Sequence, residues 1–143
     1  EIRAVDIAPG HSIVVQKRGF LACTEGVELS VFFQKKFGTG FFGGEGFILQ
    51  QAVGNGLLFL EIDGDRVEKT LAPGEVLYVD TGNLVAFDPT VQYEIQMIKG
   101  VKNIFFGGEG LFNTKLTGPG KVILQTQNFN EFASRILAMM PRS

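Results

Sequence analysis

Two acidic residues, Glu45 and Glu109, occupy the same point of a motif that the chain carries twice, Phe-Phe-Gly-Gly-Glu-Gly at 41–46 and at 105–110. Brought face to face, such a pair could act as general acid and base, or as oxygen ligands of a hard cation. Phe42 and Phe106 add an aromatic group to each copy, which makes Phe42, Glu45, Phe106 and Glu109 the candidate interaction residues. The same residue types also suit a sharp turn leading into a strand, where glycine permits positive φ and a carboxylate accepts hydrogen bonds from turn amides. No His, Cys or second carboxylate recurs beside the motif, so a structural role is the expectation. Replacing both glutamates by glutamine is then expected to alter stability or assembly, not to abolish a turnover.

The other reactive side chains give chemistry little support. His11 is the single histidine, and Glu75 takes its place in the second copy, so no histidine-based metal centre can form. A strand-edge position exposed to solvent is expected for it. Cys23 stands alone in an apolar run and reads as a buried inert thiol. Ser12, Ser30 and Ser134 lack the context of a serine nucleophile. The glycine-rich stretch 37–44 lacks the Lys-Ser/Thr ending of a phosphate-binding loop and reads as a mobile loop. Asp80 and Asp88, which replace Gln16 and Thr24 of the first copy, read as turn formers flanking a strand. No catalytic residue, metal or cofactor is expected, and the chain is read as a non-enzyme.

What must position these residues is a duplication. Residues 7–62 align with 71–126 without a gap, with 16 of 56 positions identical. Ala8-Pro9-Gly10 falls on Ala72-Pro73-Gly74, Val15 on Val79, Ala22 on Ala86, and Gly54 and Gly56 on Gly118 and Gly120. A unit of this length exceeds solenoid repeats, so each copy should be a small multi-stranded sheet and the two should share a core. The apolar period is 2, in short runs cut by turn residues. It predicts strands over 12–15, 20–23, 27–33, 47–53 and 57–62, a short one over 66–70, and then 76–79, 84–87, 91–98, 111–117 and 122–126. Gly54-Asn55-Gly56 predicts a tight hairpin. Only the end of the chain differs. Phe129, Phe132, Ala133, Ile136, Leu137 and Met140 follow helical spacing over about 130–140, with Asn130 as the expected cap and Pro141 as the stop. That apolar stripe is expected to pack within the chain or its oligomer.

Composition narrows the class further. With 143 residues, 45% hydrophobic, the chain can build one compact domain over 1–143. A net charge of -2 provides no general attraction to nucleic acid or anionic lipid. One cysteine in all points to a reducing compartment, and a cytoplasmic location is expected. No apolar run reaches the length of a transmembrane segment. Since the first residue is Glu1 and not Met, a fragment of a longer polypeptide is expected.

The segments FFGGEGFILQ at 41–50, LAPGEVLYVDTG at 71–82, LVAFDPTVQYEI at 84–95 and FFGGEGLFNTKLTGPGKVILQT at 105–126 closely resemble the AIM24 family, over about residues 5 to 127. That family comprises bacterial and archaeal proteins of undefined biochemistry and a mitochondrial protein concerned with inner-membrane organisation. The resemblance implies an all-β fold: a duplicated antiparallel β-sandwich of the double-stranded β-helix type, like the tryptophan RNA-binding attenuation protein (TRAP), with a short C-terminal helix. Family members usually carry a further copy of the repeat upstream, which this chain does not show. The expected function is a non-enzymatic oligomeric scaffold or interaction protein, a homo-oligomer such as a trimer or closed ring, with an unnamed protein partner. The alternative is a module that binds a small ligand or RNA. For RNA, Lys17, Arg18, Lys35, Lys36, Lys99 and Lys102 stand near Phe20, Phe37 and Phe41, as single-strand binding requires. Solvated loop charges account for the same residues.

Overall fold

The computed structural model describes residues 1–36, 46–97 and 112–141. Among them the fold is all-β with one short helix. In chain order the strands are β1 (Ile2–Ile7), β2 (Ile13–Gln16), β3 (Phe20–Cys23), β4 (Val27–Lys35), β5 (Phe47–Gly54) and β6 (Gly56–Glu61). Then come β7 (Arg66–Leu71), β8 (Val76–Asp80), β9 (Leu84–Phe87), β10 (Gln92–Met97), β11 (Phe112–Thr117) and β12 (Gly120–Gln125), followed by helix α1 (Phe129–Met139). Single 3₁₀ turns, Lys17–Gly19 and Thr81–Asn83, link β2 to β3 and β8 to β9.

Pairing is antiparallel throughout and gives three sheets, ordered β1-β6-β3, β10-β11-β8 and β4-β5-β2-β9-β12-β7. The registers of the two halves correspond. Ile2 faces Glu61 as Arg66 faces Gln125, and Ile13 faces Ala52 as Leu77 faces Leu116. A bulge interrupts β3–β6 beside Leu60 and β9–β12 beside Leu124, at corresponding points. Each half contributes two three-stranded sheets, and the halves join where β2 pairs with β9 through Val14 opposite Phe87 and Val15 opposite Ala86.

That joint explains the core. Because neighbouring residues of a strand point to opposite faces, Val14 and Phe87 enter one apolar cluster with Leu49, Leu84, Leu116 and Val122. Val15 and Ala86 enter a second with Leu58, Leu60, Val85 and Ile123. The six-stranded sheet is thus the middle of three layers, with β10-β11-β8 over one face and β1-β6-β3 over the other. Strands β2 and β9 are buried along their whole length. Each fully buried Val, Leu or Phe contributes about 1.5–3 kcal/mol, so this joint concentrates hydrophobic stabilisation where the halves meet.

Corresponding turns use different side chains for one task. Thr24 Oγ1 accepts a hydrogen bond from the Leu57 amide at 3.0 Å, and Asp88 Oδ2 accepts one from the Lys121 amide at 2.8 Å. Asp88 is a turn residue, as its type suggested. The hairpin between β5 and β6 needs glycine: Gly54 has φ +118°, and a Cβ there would stand 2.2 Å from the Gly26 carbonyl oxygen.

Two features differ from the sequence reading. Strand β1 was not expected, although its counterpart at 66–70 was; the sequence Ile2–Ile7 alternates apolar and polar residues only weakly, and pairing with β6 decides it. The cap of α1 is Asn128 and not Asn130: Asn128 Oδ1 accepts from the Glu131 amide at 2.8 Å, and the helix begins at Phe129, one residue before the expected start. The expected strand ends at Ile98 and Leu111 lie outside the described residues.

Candidate functional site

Phe42, Glu45, Phe106 and Glu109 all lie outside the described residues, so they define no described site. Lys99, Lys102, Phe37 and Phe41 lie outside as well. His11 is exposed and donates its amide to the Ala8 carbonyl in a tight turn. Cys23 is half-buried, not buried as expected, because it sits on the edge strand β3, with Sγ 3.7 Å from the Val27 carbonyl oxygen. Among the described residues no three His, Cys, Asp or Glu side chains come together as a metal site would need.

The structure draws attention instead to a cleft at one end of the joint. Gln16, Arg18, Glu61, Asp63, Gly82, Gln125, Asn128 and Phe129 line a volume of about 360 Å³. Two pairs of corresponding positions converge there, Arg18 with Gly82 and Glu61 with Gln125, since both halves turn at this end. In each pair the second half has lost the charge, which leaves one guanidinium and one carboxylate, joined by the Asp63 carboxylate from the linking segment.

The side-chain amides of the cleft hold backbone and one another. Gln16, almost entirely buried, donates Nε2 to the Thr81 carbonyl at 3.1 Å. Gln125 donates Nε2 to the Gly82 carbonyl at 3.0 Å and accepts from the Asp63 amide at 3.0 Å. Asn83 donates to the Gln125 carbonyl at 2.9 Å. Asn128 donates to Asn83 Oδ1 at 2.9 Å while its own Oδ1 caps the helix. Thr81 and Thr114, both buried, share a hydroxyl hydrogen bond of 3.0 Å beneath. Buried amides without partners would cost about 1–3 kcal/mol each, so this network fixes one geometry. A Cβ at Gly82 would stand 3.0 Å from Asn128 Nδ2, so any larger residue there presses on this network.

Asp80 borders the same turn. Burial raises its carboxyl above the ordinary Asp range, the Gly82 amide donating to it at 3.0 Å lowers it, and the Glu131 charge raises it again. Chemically, the arrangement can seat a small polar molecule against Arg18, Glu61 and Asp63; its lining includes no Ser, Cys or His nucleophile. Sequence reasoning missed the cleft. The signal was there in the aligned halves, as the changes Arg18 to Gly82 and Glu61 to Gln125 beside an amide-rich stretch.

Helix α1 starts from this cleft. Among the described residues its large apolar side chains are not covered: Phe129, Phe132, Ile136, Leu137, Met139 and Met140 are all exposed, Met139 at 84%. Of the two expected placements of this stripe, within the chain or in its oligomer, packing on the chain's own sheets is not seen among the described residues. Glu131 and Arg135 pair one turn apart on the polar side.

Comparison with known proteins agrees with this architecture. An uncharacterized protein of Streptococcus pyogenes serotype M6 is 27% identical over 111 residues, which are 77% of this chain and 44% of that protein. A Streptococcus pyogenes protein solved by X-ray crystallography superposes with a TM-score of 0.77 at 22% identity, over 98% of this chain and 60% of that one. The latter likeness shows a shared fold, and the chain spans less than two thirds of either relative. The family described as mitochondrial biogenesis AIM24 matches residues 1–127, and the chain belongs to the AIM24 family.

Proposed function

We propose that this chain is a non-enzymatic interaction module that works as a homo-oligomer. The observation that carries the reading is the exposed apolar stripe of α1, five large side chains on an 11-residue helix with Met140 at its C-cap. A short amphipathic helix with that face in water is marginal alone, so a partner surface is required. The polar face carries Glu131 and the single Arg135, not the several lysines and arginines of a helix that lies on anionic lipid. Among the described residues no helix is long and apolar enough to cross a membrane. The lone cysteine fits a reducing compartment, and we place the protein in the cytoplasm on that ground. The corresponding elements and registers of the two halves support reading the chain as a tandem duplication, a TRAP-like arrangement that offers similar edges more than once.

Sedimentation velocity of the chain, at concentrations down to the low micromolar range, tests this. A mass that is a multiple of 15.6 kDa is expected; a monomer refutes it. The cleft favours a second reading, a small polar ligand held between the halves, for which saturable heat on titration with the native organism's metabolite extract is the test. RNA binding has less support, since Lys17, Arg18, Lys35 and Lys36 belong to a chain of net charge -2.

A further inference from the structure

The cleft between the halves holds polar atoms that the fold leaves unpaired, and those atoms are acceptors. Gln16, only 4% exposed, turns Nε2 to the Thr81 carbonyl, and among the described residues no donor reaches its Oε1. The side chains of Glu61 and Asp63, in the same lining, make no hydrogen bond or ion pair among the described residues. The counterpart of Glu61 shows what the fold asks of that position: Gln125 uses both ends of its amide, on the Gly82 carbonyl and on the Asp63 amide. Glu61 has no such role, so its charge answers no need of the fold itself. An acceptor set as deeply as Gln16 Oε1 calls for a donor from within the cleft.

Charge and shape narrow what that donor can be. Among the described residues Arg18 supplies the lining's positive charge, and it is already engaged within the protein. One guanidinium against the two carboxylates of Glu61 and Asp63 leaves an excess of one negative charge. A second hollow, of about 220 Å³, shares Asp63 and Phe129 with the cleft and is lined further by Gln127 and Phe132. Phe129 is 65% exposed, and Phe132 is exposed as well. An acidic, acceptor-rich end thus adjoins an aromatic one. Aromatic rings attract cations to their faces, and the volume of the cleft falls in the range of small-molecule sites.

We propose that the cleft binds a small aliphatic amine, a primary ammonium group on a methylene stem. An ammonium has three N–H donors and no acceptor, which suits Gln16 Oε1 and the carboxylates of Glu61 and Asp63. Hydrogen bonds of this charge-assisted kind are the stronger ones. The stem extends toward Phe129 and Phe132, where a second ammonium, as in a diamine, meets the aromatic rings. An anion would oppose the excess negative charge. The proposal rests on the reading of the cleft as a site for a small polar ligand and adds to it the class of that ligand.

The test titrates the 143-residue chain with diaminobutane at physiological salt. Saturable heat is expected, with the carboxyl-carbon signals of Glu61 and Asp63 moving along the same saturation curve. Butanol and butyrate, which share the stem but not the positive charge, should not bind. Glu61→Gln installs the residue that the counterpart position already holds, and Asp63→Asn keeps the backbone amide that Gln125 accepts. Each is expected to weaken binding about tenfold or more with an unchanged thermal midpoint. Phe129→Leu should weaken it about two- to fivefold. Shifts spread over all carboxylates without saturation, or binding that neither Glu61→Gln nor Asp63→Asn weakens, overturns the proposal. If diaminobutane fails while the metabolite extract gives saturable heat that Asp63→Asn abolishes, the amine class is overturned and the cleft reading stands. If neither binds, both are overturned.

Discussion

Replacing Phe87 by alanine should be among the most damaging single changes, because its ring is where the two halves share a core. Phe87 is almost wholly buried, packs in one cluster with Val14 and Leu49 of the first half and Val122 of the second, and meets the Tyr93 ring at 5.6 Å between centroids. Truncating a buried Phe costs about 3–5 kcal/mol, and the lost aromatic contact accounts for roughly 0.5–1.5 of that. Strands β2 and β9 lie in the middle layer and have little freedom to collapse into the cavity, so a loss of about 4 kcal/mol is expected. A domain of this size holds about 5–15 kcal/mol in all, so Phe87→Ala should bring unfolding to much lower urea. Tyrosine emission reports it directly, since the chain has no Trp and two Tyr, one of them beside the ring. The slope m should stay unchanged while the midpoint falls. A loss below about 1 kcal/mol, typical of a surface position, would refute the shared-core argument.

Asn128→Ala removes the helix cap and the hydrogen bond to Asn83 together, so helix stability should fall by about 1 kcal/mol or more; faster amide exchange over 129–139, with the sheets unaffected, checks it. Gly54→Ala combines positive φ with a backbone clash, whereas Gly74→Ala meets positive φ and open space. Thermal denaturation should therefore rank Gly54→Ala as clearly the worse. Carboxyl-carbon NMR should find Asp80 titrating above the ordinary Asp range and Glu75 below the ordinary Glu range. For Asp80, raised mainly by burial, the folded state holds its proton more tightly, so folding gains as pH falls through that raised value. For Glu75, lowered first by the Ala72 amide and then by Lys69, the contribution is present at neutral pH and is lost as pH falls through the lowered value.

Strand placement was legible where both halves repeat a pattern of period 2: Phe20–Cys23 and Leu84–Phe87 are read to the residue, because turn glycines and apolar alternation agree there. Strand β1 escaped because its alternation is weak and its identity depends on pairing with β6, a contact between distant residues. The sequence reading placed the cap at Asn130; Asn83 and Gly82, which only the fold brings alongside Asn128, place it at Asn128 instead. The layering was not legible either. Nothing local in Val14-Val15 or Val85-Ala86 distinguishes burial on both faces from a one-sided strand, and the joint creates that difference. The cleft was hidden for the same reason: Gln16, Gln125 and Asn128 are ordinary polar residues until the joint gathers them.

The reading of the chain as a homo-oligomer is tested most directly by hydrogen exchange at residue resolution, followed as a function of protein concentration. The amides of α1, whose large apolar side chains are exposed in the single chain, should exchange slowly in concentrated solution and speed up on dilution, while those of β2 and β9 stay protected throughout. Fast exchange over α1 that does not change with concentration would contradict it.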